Sequence, residues 1–284
     1  MERRGLALSP FWRRHRLADK RTVLVPDQWN GSVQQYYHFL LGYLLPIYRW
    51  TRRNPGKPIA VRDCGPMNRW FDLLRPQTDI EIMHVGDVLH VLAGNLQPNV
   101  VLPGMDDPSR FSGRHLREFS STTREIARER LEEPSATYPV IVSDRASHDA
   151  FFATSGAEWP ESGSQKRSVP NLAQIVGDWG RTDVHVLDGA TTGIYEQIAL
   201  HDATQILIGQ HGAGLTNMIW MRPGSCVIEI LPPMPDDAIG IFSKLARALD
   251  IHHSVVRQES VHAPIDGYEL TTALQSAEEI TFRL

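Results

Sequence analysis

Short apolar runs alternate along this chain with stretches in which apolar residues recur every three or four positions, the pattern of strands alternating with helices. Residues 22–25 (TVLV) form the first strand pattern, closed by Pro26, and 29–32 (WNGS) read as a turn. Residues 34–50 follow as a helix with Tyr37, Leu40, Leu41, Leu44 and Leu45 on one face. Pro46 should bend or interrupt it, because it lacks the N–H that the preceding turn uses. Strand patterns return at 58–62, 80–83, 88–91 and 100–102, with a helix expected over 68–74. A charged helix over 120–133 runs into a linker at Pro134-Ser135, and the alternation then starts again. Strands are expected at 138–143, 183–187, 205–208, 226–231 and 252–256, and helices at 193–202, 215–221 and 234–249. Two such series make an α/β chain of two Rossmann-like halves, residues 1–135 and 136–284, joined near 133–138.

The densest chemistry lies in ILIGQHGAGLTNMIWMRPGSCVIEILP, residues 206–232. A strand, a Gly-rich turn, a helix and a second strand make one βαβ unit there. Open parallel sheets place ligands at such turns, beyond the carboxyl ends of the strands. Small residues let a ligand approach the backbone, and the free N–H groups of a helix start favour an anion such as a phosphate. His211 adds a titratable ring and Asn217 a fixed donor and acceptor.

HGAGLTN, followed by PGS and a strand carrying Glu229, resembles the C-terminal signature of the family 61 glycosyltransferases. A second block, YYHFLLGYLLP at 36–46, is similar to the family's first motif, with Gly42 where that motif often has an acidic residue. The resemblance implies an inverting enzyme of the GT-B fold, two Rossmann-like domains facing a central cleft, that uses a nucleotide-activated sugar. The C-terminal half would bind the donor, a UDP-sugar foremost, and the N-terminal half a glycan or glycoconjugate acceptor. On this reading the turn residues His211, Gly212, Ala213, Gly214, Leu215, Thr216 and Asn217, together with Glu229, bind the donor. The family also places arginines after a strand, and then an Asn that opens a helix. Arg145, Lys166 or Arg167, and Asn171 stand in those places, and Glu196 lies in the helix whose carboxylate can face the ribose. A donor diphosphate needs cations or N–H groups to leave, and Arg145 with Lys166 or Arg167 could supply them. His38 is the candidate general base on the acceptor side, ahead of Glu81 and Asp63, and His38 and His211 are expected to face one cleft.

Composition narrows this further. With 42% hydrophobic and 22% charged residues the chain is an ordinary globular one. Two cysteines, Cys64 and Cys226, exclude a disulfide framework, and no Cys/His spacing suggests structural zinc. There is no DxD tripeptide, and GT-B chemistry requires no cofactor beyond the donor, so no metal site is expected, although a divalent ion could still stimulate release. The formal charge of −4 hides an excess of +8 in residues 1–60, most of it in residues 3–21. That stretch reads either as a solvated arm or as a contact to an anionic membrane surface; nucleic acid is not an expected partner. No long apolar run follows the arginines, so the expected location is the cytoplasm or the inner membrane surface. Two other functions fit the pattern: a degenerate transferase that binds a sugar or nucleotide without turnover, and a nucleotide-sugar epimerase on a similar scaffold.

Overall fold

The computed structural model describes residues 21–26, 32–86, 88, 99–102, 112–132, 136–144, 150–154, 157–158, 163–235 and 239–282. Residues 89–91 of the strand expected over 88–91, the basic stretch up to residue 20 and Arg145 lie outside these. The chain divides into two compact units, Met1–Asp106 and Asp107–Leu284.

The first unit holds a parallel sheet of four strands, β1 (Thr22–Pro26), β2 (Ile59–Arg62), β3 (Ile80–Met83) and β4 (Asn99–Leu102), in the order β3-β2-β1-β4. The motif helix begins as α1 (Tyr36–Phe39), widens into a π-helical turn (Leu40–Leu44) and continues as α2 (Leu45–Arg53). Pro46 explains the widening. It has no N–H to give and its ring crowds the carbonyl four residues back, so the N–H of Leu45 reaches Leu40 instead. The helix is therefore neither stopped nor broken at the proline. It packs through Phe39 and Tyr43 against Phe71, with ring centroids 5.3 and 6.1 Å apart. The Tyr43 hydroxyl donates to the Leu24 carbonyl at 2.6 Å and accepts the Arg62 N–H at 3.0 Å, which ties the helix to β1 and β2. The expected helix at 68–74 is a 3₁₀ helix, Gly65–Leu73.

The second unit holds a parallel sheet of five strands, β5 (Val140–Ser143), β6 (Val184–Leu187), β7 (Ile206–Gln210), β8 (Cys226–Leu231) and β9 (His252–Arg257), ordered β6-β5-β7-β8-β9. Its helices are α3 (Gly113–Arg130), α4 (Gly163–Lys166), α5 (Leu172–Asp178), α6 (Ile194–Ala203), α7 (Ile241–Ala248) and α8 (Gly267–Thr281). On one face Val140, Val142, Ile206, Ile208, Ile228, Ile230 and Val256 pack against Leu172 and Ile175 of α5 and Leu270, Leu274 and Ala277 of α8. The other face is covered by a 3₁₀ helix (Ala213–Trp220) and α7. Sequence reading missed α8, although Asp266 caps it by accepting the Tyr268 N–H at 2.8 Å. Among the described residues, no helix is long and apolar enough to cross a membrane.

The helix α3 begins at residue 113 and belongs with the second unit, packing on α6 and on the 3₁₀ helix. The indole N–H of Trp220 donates to Thr123 at 3.0 Å, and Asp202 of α6 takes Arg124 at 2.9 Å. The passage from one unit to the next thus precedes this helix, whereas the linker pattern at 133–138 follows it. The start of α3 is seated on the end of α7 so closely that a Cβ on Gly113 would overlap the Ala248 carbonyl oxygen. Gly113→Ala is expected to cost about 1–3 kcal/mol through this overpacking, measured by denaturant unfolding.

Candidate functional site

The strand order of the second unit places its topological switch point between β5 and β7, where successive connections leave in opposite directions. The Gly-rich turn starts at the carboxyl end of β7, beside the carboxyl end of β5. Its glycines are required by the closeness of that approach. A Cβ on Gly214 would lie 2.5 Å from the Ser143 hydroxyl, and one on Gly209 would lie 3.1 Å from Leu215 and 3.3 Å from the Ser143 carbonyl. Gly212 has φ 152° and ψ −172°, a region essentially closed to residues with a side chain. The expected α-helix at 215–221 is a 3₁₀ helix from Ala213. Leu215, Thr216 and Asn217 are buried, and the Thr216 hydroxyl has no hydrogen-bond partner among the described residues.

His211 is held on every side. Its N–H donates to the Ile230 carbonyl at 2.8 Å, and its carbonyl accepts Arg167 at 2.9 Å. Nδ1 lies 2.5 Å from Glu229 Oε1, and the ring meets Phe242 edge-on at 5.1 Å. The other carboxylate oxygen, Oε2, lies 2.8 Å from Nε2 of His253. All three side chains are nearly out of solvent, at 7%, 3% and 11% exposure. Burial alone would raise the Glu229 pKa, but the hydrogen bonds and charges of the two histidines outweigh it, and the net direction is down. Burial also lowers the pKa of the half-buried Arg167 guanidinium.

Strand register brings this group together. Gly209 pairs with Glu229, and Glu229 with Val255. Side chains two apart on a strand share a face, so His211, Glu229 and His253 all lie on the face covered by α7. His253 and Phe242 formed no part of the sequence expectation, and only the register of β8 with β9 could have pointed to His253.

The other expected site residues are placed as follows. Lys166 ends α4 beside Arg167, and Glu196 lies exposed in the first turn of α6. Asn171 binds the backbone of Ile265 through both ends of its amide, at 2.8 and 3.1 Å, and so fastens α5 to the segment before α8. In the first unit, His38 is half-buried on α1 with its ring edge-on to Tyr37 at 5.3 Å. Asp63 accepts the Gly65 N–H at 2.8 Å and the Asn68 amide at 2.7 Å, capping the 3₁₀ helix there. Glu81 pairs with Arg21 at 3.1 Å. Among the described residues no group of three His, Cys, Asp or Glu side chains is arranged to hold a metal ion.

Comparison with curated proteins found no match. The model of the family described as Glycosyltransferase 61 matches residues 36–228, from the helix that carries His38 to the strand that carries Glu229, and the chain belongs to that family.

Proposed function

We propose that this glycosyltransferase is an inverting, metal-independent enzyme of the GT-B type, moving a sugar from a nucleotide-sugar donor, a UDP-sugar foremost, to a glycan or glycoconjugate hydroxyl. The observation that carries the donor side is the position of the HGAG turn at the switch point of the second sheet, with Arg167 fixed on it. Anions suit this turn. The first N–H groups of a helix have no partner within it, and the glycines leave the backbone open to approach. Arg145, Lys166 and Arg167 supply positive charge, and Thr216 and Asn217 offer polar groups behind the turn. Glu196 would face the ribose.

In the reaction the acceptor oxygen forms a bond to the anomeric carbon as the bond to the donor phosphate breaks. The acceptor proton passes to His38, and the nucleoside diphosphate leaves against the turn and the cations. The basic stretch at 3–21 would serve as a solvated arm or as a contact to anionic membrane lipid on the cytoplasmic side.

A thermal-shift screen of UDP-, GDP-, CMP- and dTDP-sugars tests the donor reading, since a ligand at 100 times its Kd stabilises the folded state by about 2.7 kcal/mol. Arg167→Ala should weaken binding of the best donor by about tenfold to a hundredfold, the worth of roughly 1.5–3 kcal/mol for a charge-assisted contact. Binding without transfer to any acceptor would identify a degenerate sugar-binding protein instead, and isomerised free nucleotide sugar an epimerase.

A further inference from the structure

Arg167 is half-buried, its guanidinium donates to the His211 carbonyl at 2.9 Å, and no carboxylate pairs with it among the described residues. Its charge is left for a ligand, so what fixes its position lies elsewhere. The next residue, Ser168, is bound at each of its polar groups. Its N–H donates to the Val261 carbonyl at 2.9 Å, and its hydroxyl lies 3.0 Å from Nδ1 of His262. Its carbonyl accepts Nε2 of both Gln210 and Gln258, at 3.1 and 2.9 Å. The two buried amides also meet, Gln210 Nε2 donating to Gln258 Oε1 at 2.6 Å, and Gln258 Nε2 reaches the Ala263 carbonyl at 2.5 Å. We propose that Gln258 is a positioning residue for Arg167, holding it through Ser168 against the HGAG turn in readiness for the donor diphosphate. The proposal rests on the reading that the second unit binds a nucleotide sugar.

The physical argument concerns connectivity and charge. Gln210 ends β7 immediately before His211, and Ser168 immediately follows Arg167. The cation and the turn are thus each one residue away from the same pair of amides. Gln258 follows β9, and its N–H donates to the Leu231 carbonyl at 3.0 Å, which seats its amide beside the end of β8. Without Gln258, Ser168 loses one of the two amides that fix its carbonyl, and Arg167 depends more on its one guanidinium bond to the turn. A long side chain fixed before the ligand arrives loses less freedom on binding. Amides suit this role because they are neutral: a carboxylate here would compete with the diphosphate for the guanidinium. The three atoms around Gln210 Nε2 are all oxygen acceptors, which identifies it as the nitrogen. Gln258 lies beyond residue 228, where the match to the family model ends.

The test is a double-mutant cycle on the full chain, read by calorimetry with a UDP-sugar. Gln258→Leu removes the amide while filling most of its space, and donor affinity should fall about tenfold. With Arg167→Ala already in place, the same substitution should change affinity by less than about twofold, because the residue it positions is gone. The side chain itself is followed through the Nε–H signal of ¹⁵N-labelled arginine, assigned by its loss in Arg167→Ala. Relaxation measurements should show Arg167 ordered in the ligand-free wild type and mobile in Gln258→Leu. Gln258→Asn, one carbon shorter, should fall between the two on both measurements, and it replaces the leucine variant if that one does not fold. Unchanged affinity in the folded variant overturns the proposal. So does an equal loss in both backgrounds, which is what a general loosening of the second unit would give. A mobile Arg167 in the ligand-free wild type overturns it too, and needs no variant to fold. If the wild type binds no nucleotide sugar, the donor reading fails while the relaxation measurements still decide the positioning.

Discussion

Glu229→Ala is expected to lower the melting temperature of the protein by roughly 6–20 °C and to abolish donor binding. The substitution leaves the N–H groups of His211 and His253 buried without their acceptor and opens a hole beneath the turn. Breaking a buried, hydrogen-bonded charge group of this kind costs about 3–5 kcal/mol, and each kcal/mol moves the melting temperature by about 2–4 °C at this size. The acid limb adds a second signature. The Glu229 pKa is held below its ordinary value of 4.5, so the unfolded chain takes up that proton first as the pH falls. Its stabilising contribution is therefore complete above pH 4.5 and is lost as the pH drops through the folded value. His201 contributes separately: fully buried, it is pushed down to about 4 by desolvation, and its loss begins near pH 6.5. The informative quantity is the difference between wild type and variant across pH 3–6 in urea unfolding, where ~1 pH unit decides which group is titrating. A variant that melts within 2 °C of wild type, on the order of 1 kcal/mol or less, would show that the two histidines do not depend on this carboxylate.

The second large effect concerns His38. His38→Ala should lower sugar transfer by about 10²–10⁴-fold, the usual contribution of a general base, and leave nucleotide-sugar affinity within about twofold. Product formation and calorimetric binding, measured on the same preparation, separate the two. The contrast with His211 is sharp, because His211→Ala removes a ring beside the anion-binding turn and should weaken both. The two weaker candidates for the base are already engaged in structure: Asp63 caps a 3₁₀ helix and Glu81 pairs with Arg21. Alanine at either should therefore show first in stability. Turnover near the wild-type level in folded His38→Ala would move the search for the base elsewhere.

Much of the architecture was legible in the order of residues. Period-two and period-3.6 apolar patterns are local, so the strands at 22–26, 59–62, 140–143, 206–210 and 226–231 could be read directly. The HGAG turn was legible for a related reason, since glycine records a local need for backbone space, and Gly214 beside Ser143 shows what that need was. Other features depend on contacts distant in the sequence. Charge along residues 120–133 looked like a solvated helix leading to a linker, but Asp202 and Trp220, some eighty and a hundred residues away, draw that helix into the second unit. Asn171, expected from its place in the sequence to bind the donor, has an amide that bonds the backbone of Ile265, ninety-four residues along.

The site divides in the same way. His211 and Glu229 could be picked out because each sits in a signature a few residues long. That they touch, and that His253 completes the group from β9, depends on the register of three parallel strands. Parallel strands are joined by long crossovers, so their register is set by packing across the whole sheet and leaves no mark in the intervening sequence. Local pattern determined which residues stand out as candidates, and the sheet alone decided which of their side chains meet.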